Sequence, residues 1–199
     1  MKILVTGASG FIGKRLCEAL LIAGHYVGKL DISMDEQGEW DGIIHLAAVS
    51  RVKDCEADPE RAIWSNILLT AQMLQRKFKW FVLVSTNEPP TSVYGLTKRC
   101  AEDYAKMHAA RGDYTLLILK LTNVYGPGMA QDKLLPRFAR REITLHDNVL
   151  PFEYVSVHSV VRHIQEWINH DKPLRIATLK LQDGVARTAE ELMNVATSY

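Results

Sequence analysis

The chain has 199 residues, 47% of them hydrophobic and 24% charged, enough to bury one sizeable core. A formal net charge of +1 gives no electrostatic reason to expect nucleic acid or an anionic membrane surface as a partner. No run approaches the ~18 apolar residues of a bilayer span. The three cysteines, Cys17, Cys55 and Cys100, form no CxxC, disulfide framework or zinc pattern. Met1–Gly7 turns into glycines too soon for a signal peptide. The expectation is a cytoplasmic protein without a metal.

Lys2–Thr6 is a continuous apolar run, suited to a strand buried on both faces. Phe11–Ala23 carries Ile12, Leu16, Ala19, Leu20 and Ala23 at helical spacing, and Gly24 stands where a stop belongs. Tyr26–Ile32 and Gly42–Ala48 read as the next strands. Asp58-Pro59 opens a helix, with aspartate as N-cap and proline at the first position, that runs to about Lys77. Trp80–Ser85 reads as a strand, Tyr94–Arg111 as a helix stopped by Gly112, and Thr115–Leu121 as a strand. Beyond residue 122 come a helix at Leu134–Arg141, a short strand at Phe152–Val155, a helix at Val160–Asn169 and a strand at Leu174–Thr178. The capping box Thr188-Ala189-Glu190-Glu191 opens a last helix. This alternation predicts a single α/β domain, 1–199, built on a doubly wound parallel sheet.

Gly7, Gly10 and Gly13 sit between the first strand and the first helix, spaced GxxGxxG. The first allows a tight turn, the second lets backbone approach a pyrophosphate, and the third lets helix and strand pack closely. With Ser9, Phe11 and Ile12 they form the expected phosphate-binding loop, since a helix N-terminus offers N–H groups and positive partial charge. A glycine triplet alone also fits a plain strand–turn–helix; its place in the order of elements singles it out. Asp31 follows Gly13 by 18 residues, at the end of the second strand. A carboxylate there accepts hydrogen bonds from ribose hydroxyls and repels a 2′-phosphate, which favours NAD over NADP. The plainer role for Asp31 is to start a turn.

Four segments come in order: Thr6–Gly13, Ile43-Ile44-His45-Leu46-Ala47-Ala48, Tyr94-Gly95-Leu96-Thr97-Lys98, and Leu121-Thr122-Asn123-Val124-Tyr125-Gly126-Pro127-Gly128. Together they resemble the extended short-chain dehydrogenases, the NAD-dependent sugar epimerase/dehydratase family with its Rossmann-type fold. The resemblance implies an NAD cofactor and a nucleotide sugar as substrate. It places Leu46, Ala47 and Ala48 on the wall of the cofactor cleft, Asn66 on a supporting helix among the cofactor-binding residues, and Leu121 beside the nicotinamide. Ser85 and Thr86 match a Ser/Thr pair whose second member is the catalytic hydroxyl. Tyr94 and Lys98 match the catalytic YxxxK pair and also touch cofactor, and Asn123 matches a residue that meets substrate phosphates. The same resemblance implies a homodimer through helices 59–77 and 94–111, where Trp64, Leu68, Met73, Tyr104 and Met107 fit packing faces.

Tyr94 and Lys98 are four apart and share a helical face. A neighbouring ammonium is expected to lower the tyrosine from its usual value near ~10, so that it serves as base toward a substrate hydroxyl. Thr86 would hold the substrate oxygen. Taken alone, the same residues also fit a packed aromatic and a solvated lysine.

The chain departs from the family pattern in five places. Only eleven residues separate Asp31 from Ile43, too few for the usual helix and third strand, so the second strand should lie at the sheet edge. Asn87 replaces the aspartate of a dehydratase-like Ser-Thr-Asp-Glu motif, and an amide cannot supply the acid for water elimination. Ser50 and Leu150 stand where relatives carry lysine and arginine. The chain ends earlier than its relatives, which implies a reduced C-terminal substrate lobe within 122–199.

His45 reads as a buried strand histidine. His146, His158, His163 and His170 show no metal-ligand spacing. Lys133, Arg137, Arg140 and Arg141 read as a solvated basic helix on which a substrate phosphate could sit. Two functions remain open: an NAD-dependent oxidoreductase or epimerase acting on a hydroxyl/keto carbon, and a non-catalytic NAD-binding sensor or partner subunit on the same fold.

Overall fold

In the computed structural model, which describes residues 1–31, 38–143, 153–170 and 174–182, the apolar runs form a parallel sheet. Its strands are β1 (Lys2–Thr6), β2 (Tyr26–Leu30), β3 (Gly42–His45), β4 (Trp80–Thr86), β5 (Thr115–Leu121) and β8 (Ile176–Leu181), in the spatial order β2-β1-β3-β4-β5-β8. A second, two-stranded parallel sheet joins β6 (Asn123–Tyr125) to β7 (Tyr154–Ser156).

The strands are apolar on both sides because both faces are covered. Ile3, Val5, Ile44, Val82, Leu117 and Leu119 point to one core, which takes Leu16, Cys17 and Leu20 of α1 (Phe11–Ile22) and Val160, Ile164 and Ile168 of α7 (Val157–Asn169). Leu4, Ile43, Phe81, Leu83, Leu116 and Ile118 point the other way. There they meet Met73 and Leu74 of α4 (Leu69–Leu74) and Ala105 and Ala109 of α5 (Val93–Arg111). One residue step along a strand changes the core it serves, as the period of two requires. This is the doubly wound α/β arrangement expected from the sequence.

β2 lies at the sheet edge, as the short connection after Asp31 predicts. Trp40, 3% exposed, packs against it: a Cβ on Gly28 would lie 2.1 Å from the indole ring, so only glycine fits beside that side chain.

Several expected boundaries move. β2 stops at Leu30 and β3 at His45, because the chain there leaves the sheet to build loops at its C-terminal edge. The single helix expected from Asp58 to Lys77 is three pieces: α3 (Pro59–Ile63), a π-helical turn (Trp64–Leu68) and α4. Asp58 caps α3 as predicted, accepting from Arg61 N–H at 3.0 Å. A further helix, α2 (Val52–Ala57), and strand β6 had no legible signal. α6 (Leu134–Ala139) ends two residues earlier than expected, with Arg141 at φ 57. α7 begins earlier than expected, capped by Ser156, and β8 lies two to three residues later than the predicted strand. Leu150, Phe152, His146 and the capping box at Thr188 lie outside the described residues. Among the described residues no helix is long and apolar enough to cross a membrane.

Candidate active site

The loops at the C-terminal ends of β1, β3, β4 and β5 enclose a cleft of about 1770 Å³. That is more than the roughly 300–1,000 Å³ of a site for one small ligand. In a doubly wound sheet this edge is where ligands bind.

Gly7, Ser9, Gly10, Phe11, Ile12 and Gly13 line its floor. Gly7 has φ 68, and a Cβ on it would lie 2.9 Å from Ala47 N. A Cβ on Gly13 would lie 2.1 Å from the Gly7 carbonyl, so the start of α1 rests on the turn itself. Gly10 is different: only the Gly7 carbonyl, at 3.1 Å, comes near its Cβ position. No side chain caps α1, and no acidic residue stands in its first turn. The positive end of the helix therefore faces the cleft without an internal anion. These features fit a pyrophosphate. Asp31 lines the same end and accepts from Ser9 N–H at 3.3 Å.

Leu46, Ala47 and Ala48 form the wall after β3, and Ser85, Thr86 and Leu121 line the cleft from β4 and β5, with Asn123 just beyond. Tyr94 and Lys98 enter from α5, whose first turn is set by Ser92 accepting from Gly95 N–H at 3.0 Å. Thr86, Tyr94 and Lys98 thus come from two elements onto one surface.

Asn66 is not on that surface. It lies fully buried in the π-helical turn, behind the wall. Its Oδ1 accepts from Val49 N–H at 2.9 Å, and its Nδ2 donates to the Val49 carbonyl at 3.1 Å and to Thr97 Oγ1 at 3.0 Å. Thr97 in turn donates to the Tyr94 carbonyl at 3.0 Å. Asn66 therefore braces the wall loop against the helix that carries Tyr94.

His45 extends this network. Thr70 donates its hydroxyl proton to the Asn66 carbonyl at 2.8 Å, so His45 Nε2 must donate to Thr70 Oγ1 at 3.1 Å. Nδ1 is then the acceptor for Thr6 Oγ1 at 2.7 Å, which itself accepts from Ala47 N–H at 3.2 Å. Each donor finds an acceptor only if the imidazole is neutral, and burial pushes His45 down to about 3.

The electrostatics of the pair reverse one expectation. Tyr94 is not lowered by Lys98: burial pushes it up to about 12, a hydrogen bond with Thr86 acts against burial, and Cys55 and Glu88 add to the rise. The Lys98 ammonium donates instead to the Val84 carbonyl at 2.8 Å. Burial pushes Lys98 down to about 8, with Glu102 acting the other way. Ser85 is turned from the cleft at its hydroxyl, which donates to Glu102. Glu102 carries a signal not used in the sequence analysis: it continues the four-residue spacing of Tyr94 and Lys98.

At the outer end Arg51 grips Asp132 through both guanidinium nitrogens, one bond at 2.9 Å, and Lys53 adds a contact at 3.4 Å. Lys133 and Arg137 line this end of the cleft, whereas Arg140 turns to Glu142 and Gln131. Asn87 also faces the cleft, and its Nδ2 is buried without a hydrogen-bond partner.

Residues 3–171 match the NAD dependent epimerase/dehydratase family, and the chain belongs to that family. It is 26% identical to the UDP-glucose 4-epimerase of Vibrio cholerae, over 98% of this chain and 74% of that one. It is 26% identical to the CDP-abequose synthase of Salmonella typhimurium, over 67% of this chain; the matched part spans 56% of that protein's length. The solved structure of MoeE5 in complex with UDP-glucose and NAD is similar over 98% of this chain and 80% of that chain, with a TM-score of 0.82 and 25% identity.

Proposed function

We propose that the protein is an NAD-dependent oxidoreductase or epimerase acting on a hydroxyl/keto carbon of a nucleotide-sugar-like substrate. The observation that carries this reading is the convergence of Thr86, Tyr94 and Lys98 on the cleft whose floor is the glycine loop. NAD, when bound with its pyrophosphate on that loop, supplies the hydride acceptor and donor. Gly7, Ser9, Gly10, Phe11, Ile12 and Gly13 hold the pyrophosphate, Asp31 the adenosine ribose, and Leu46, Ala47, Ala48, Ser85 and Leu121 shape the cleft. Thr86 orients the substrate oxygen. Tyr94 exchanges a proton with that oxygen, and the Lys98 ammonium favours the tyrosinate once the ring has lost its proton. Asn123 meets the substrate's phosphates. Asn87 offers an amide where elimination of water needs an acid, so oxidation–reduction or epimerisation is favoured over dehydration. In this reading residues 1–199 act as one domain, with 122–199 contributing the substrate end. A homodimer through the α3–α4 and α5 region completes the proposal.

Loss of the Tyr94 hydroxyl should lower turnover by about 10²–10⁴-fold, the usual contribution of acid–base catalysis. The measurement is Tyr94→Phe against a panel of UDP- and dTDP-sugars, with product analysis by NMR and NAD affinity by calorimetry. Unchanged turnover in the variant sinks the role. The second reading, a non-catalytic NAD-binding module, is favoured by one observation: the Lys98 ammonium is engaged by the Val84 carbonyl. It predicts NAD binding with no turnover in the wild type.

A further inference from the structure

Among the described residues, Lys98 and Glu102 are the only lysine, arginine or carboxylate side chains that are buried, at 3% and 2% exposure. They lie one helical turn apart on α5, in line with Tyr94 one turn earlier. A charge taken out of water needs a partner. Lys98 has a dipole, the Val84 carbonyl, at 2.8 Å. Glu102 has two donors: Ser85 Oγ on one oxygen and Lys120 Nζ on the other at 3.1 Å. Those donors are themselves a cross-strand pair, Ser85 of β4 beside Lys120 of β5. The next pair along the two strands is Thr86 and Leu121, both on the cleft. One carboxylate therefore ties the last turn of the sheet before the cleft to the helix that supplies Tyr94 and Lys98.

We propose that Glu102 is a positioning residue, the buried counter-charge that keeps Lys98 an ammonium ion in the cleft wall while fixing the ends of β4 and β5 against α5. This rests on the oxidoreductase reading for its purpose, though not for its test. The other titratable groups around the pair are known. Tyr94 shares the face of α5, His45 of β3 is neutral, and Lys120 of β5 is the competing cation. Cys55 of α2 and Glu88 of the β4–α5 loop act on Tyr94. Only Glu102 opposes the effect of burial on Lys98.

The test titrates Lys98 directly, by NMR of its ¹³C-labelled Cε in protein stripped of dinucleotide. Glu102→Gln keeps the shape and an acceptor for Ser85 but removes the charge. The Lys98 midpoint should fall by about one unit, leaving about tenfold less ammonium relative to amine at a given pH. Glu102→Asp, which keeps the charge, should restore most of the wild-type midpoint. Lys120→Met removes the competing cation and should move the midpoint up, which keeps the proposal testable if Glu102→Gln does not fold. A folded Glu102→Gln variant with the wild-type midpoint, or a Lys120→Met variant whose midpoint does not rise, overturns it. In turnover assays the alkaline limb of the pH profile should move with the Lys98 midpoint. A shifted midpoint in a protein that never turns over would leave the role of Glu102 standing and remove the catalytic reading.

Discussion

His45 shows how a single buried side chain can set a pH limit. Its folded value, about 3, lies below the usual 6.5 of an exposed histidine. The unfolded chain therefore binds more protons between those values, and stability falls as pH drops through that window. Above pH 6.5 both states are neutral at this position and the full contribution is present. Urea unfolding of the wild type should show a steep loss of stability from pH 6.5 downward, and His45→Gln should show a shallower one. Equal slopes would mean that other groups govern acid unfolding. The burial of His45 was legible from its place in an apolar strand. Its partners were not, because Thr6, Thr70 and Asn66 come from segments that only the fold brings together. The same limit hid Glu102: helical spacing put it in line with Lys98, but its burial depends on Ser85 and Lys120 arriving from two strands.

At the scale of elements, the three glycines of the first loop have different reasons to be glycine. A Cβ at Gly13 runs into the Gly7 carbonyl at 2.1 Å, so Gly13→Ala must lift α1 off the turn. The Gly10 position has only a 3.1 Å contact to accommodate. Gly13→Ala should lose roughly 1–3 kcal/mol, the usual cost of overpacking. Gly10→Ala should keep its thermal midpoint while binding NAD more weakly, because the added methyl group stands where backbone meets pyrophosphate. Scanning calorimetry with and without NAD separates the two, and equal loss of stability in both variants would refute the distinction. The main strands and α1, α5 and α7 were legible because their apolar periods run uninterrupted. The break of α3 into a π-helical turn was not, since Trp64–Leu68 reads as ordinary helix and the widening depends on Asn66 reaching Val49 and Thr97.

At the scale of the whole molecule, two elements of the expected dimer face leave apolar side chains exposed. Ile63, Trp64 and Leu68 are exposed on α3 and the π-helical turn, and Leu96 and Met107 on α5. Met73, assigned to the same face from sequence, is instead buried, at 4% exposure, and belongs to the core. Tyr104 is partly buried against that core. Leu68 and Met73 are five residues apart, about 140° around an α-helix, so ordinary winding already turns Met73 away from the face of Leu68. Exposed apolar side chains grouped into a patch mark an association surface, and a second copy of the chain is the occupant proposed above. Sedimentation should show a dimer for the wild type and a monomer for Trp64→Glu. Because these side chains are exposed, the substitution should change monomer stability by no more than about 0.5 kcal/mol. A wild type that stays monomeric at high concentration removes the dimer from the proposal.

The π-helical turn makes the length of this segment matter as much as its composition. Each residue of an α-helix advances the chain by about 100°. A π-helical turn absorbs one extra residue without rotating the helices on either side, so a deletion between Trp64 and Leu68 would restore ordinary winding with α3 and α4 in phase, whereas a deletion or insertion elsewhere in α3 or α4 would rotate one against the other by that angle. In that case Ala62, now fully buried, would swing toward solvent, or Asn66 would be pulled off Val49 and Thr97. Many substitutions leave that phase untouched, but a shift of one codon in the length of α3 or α4 would not.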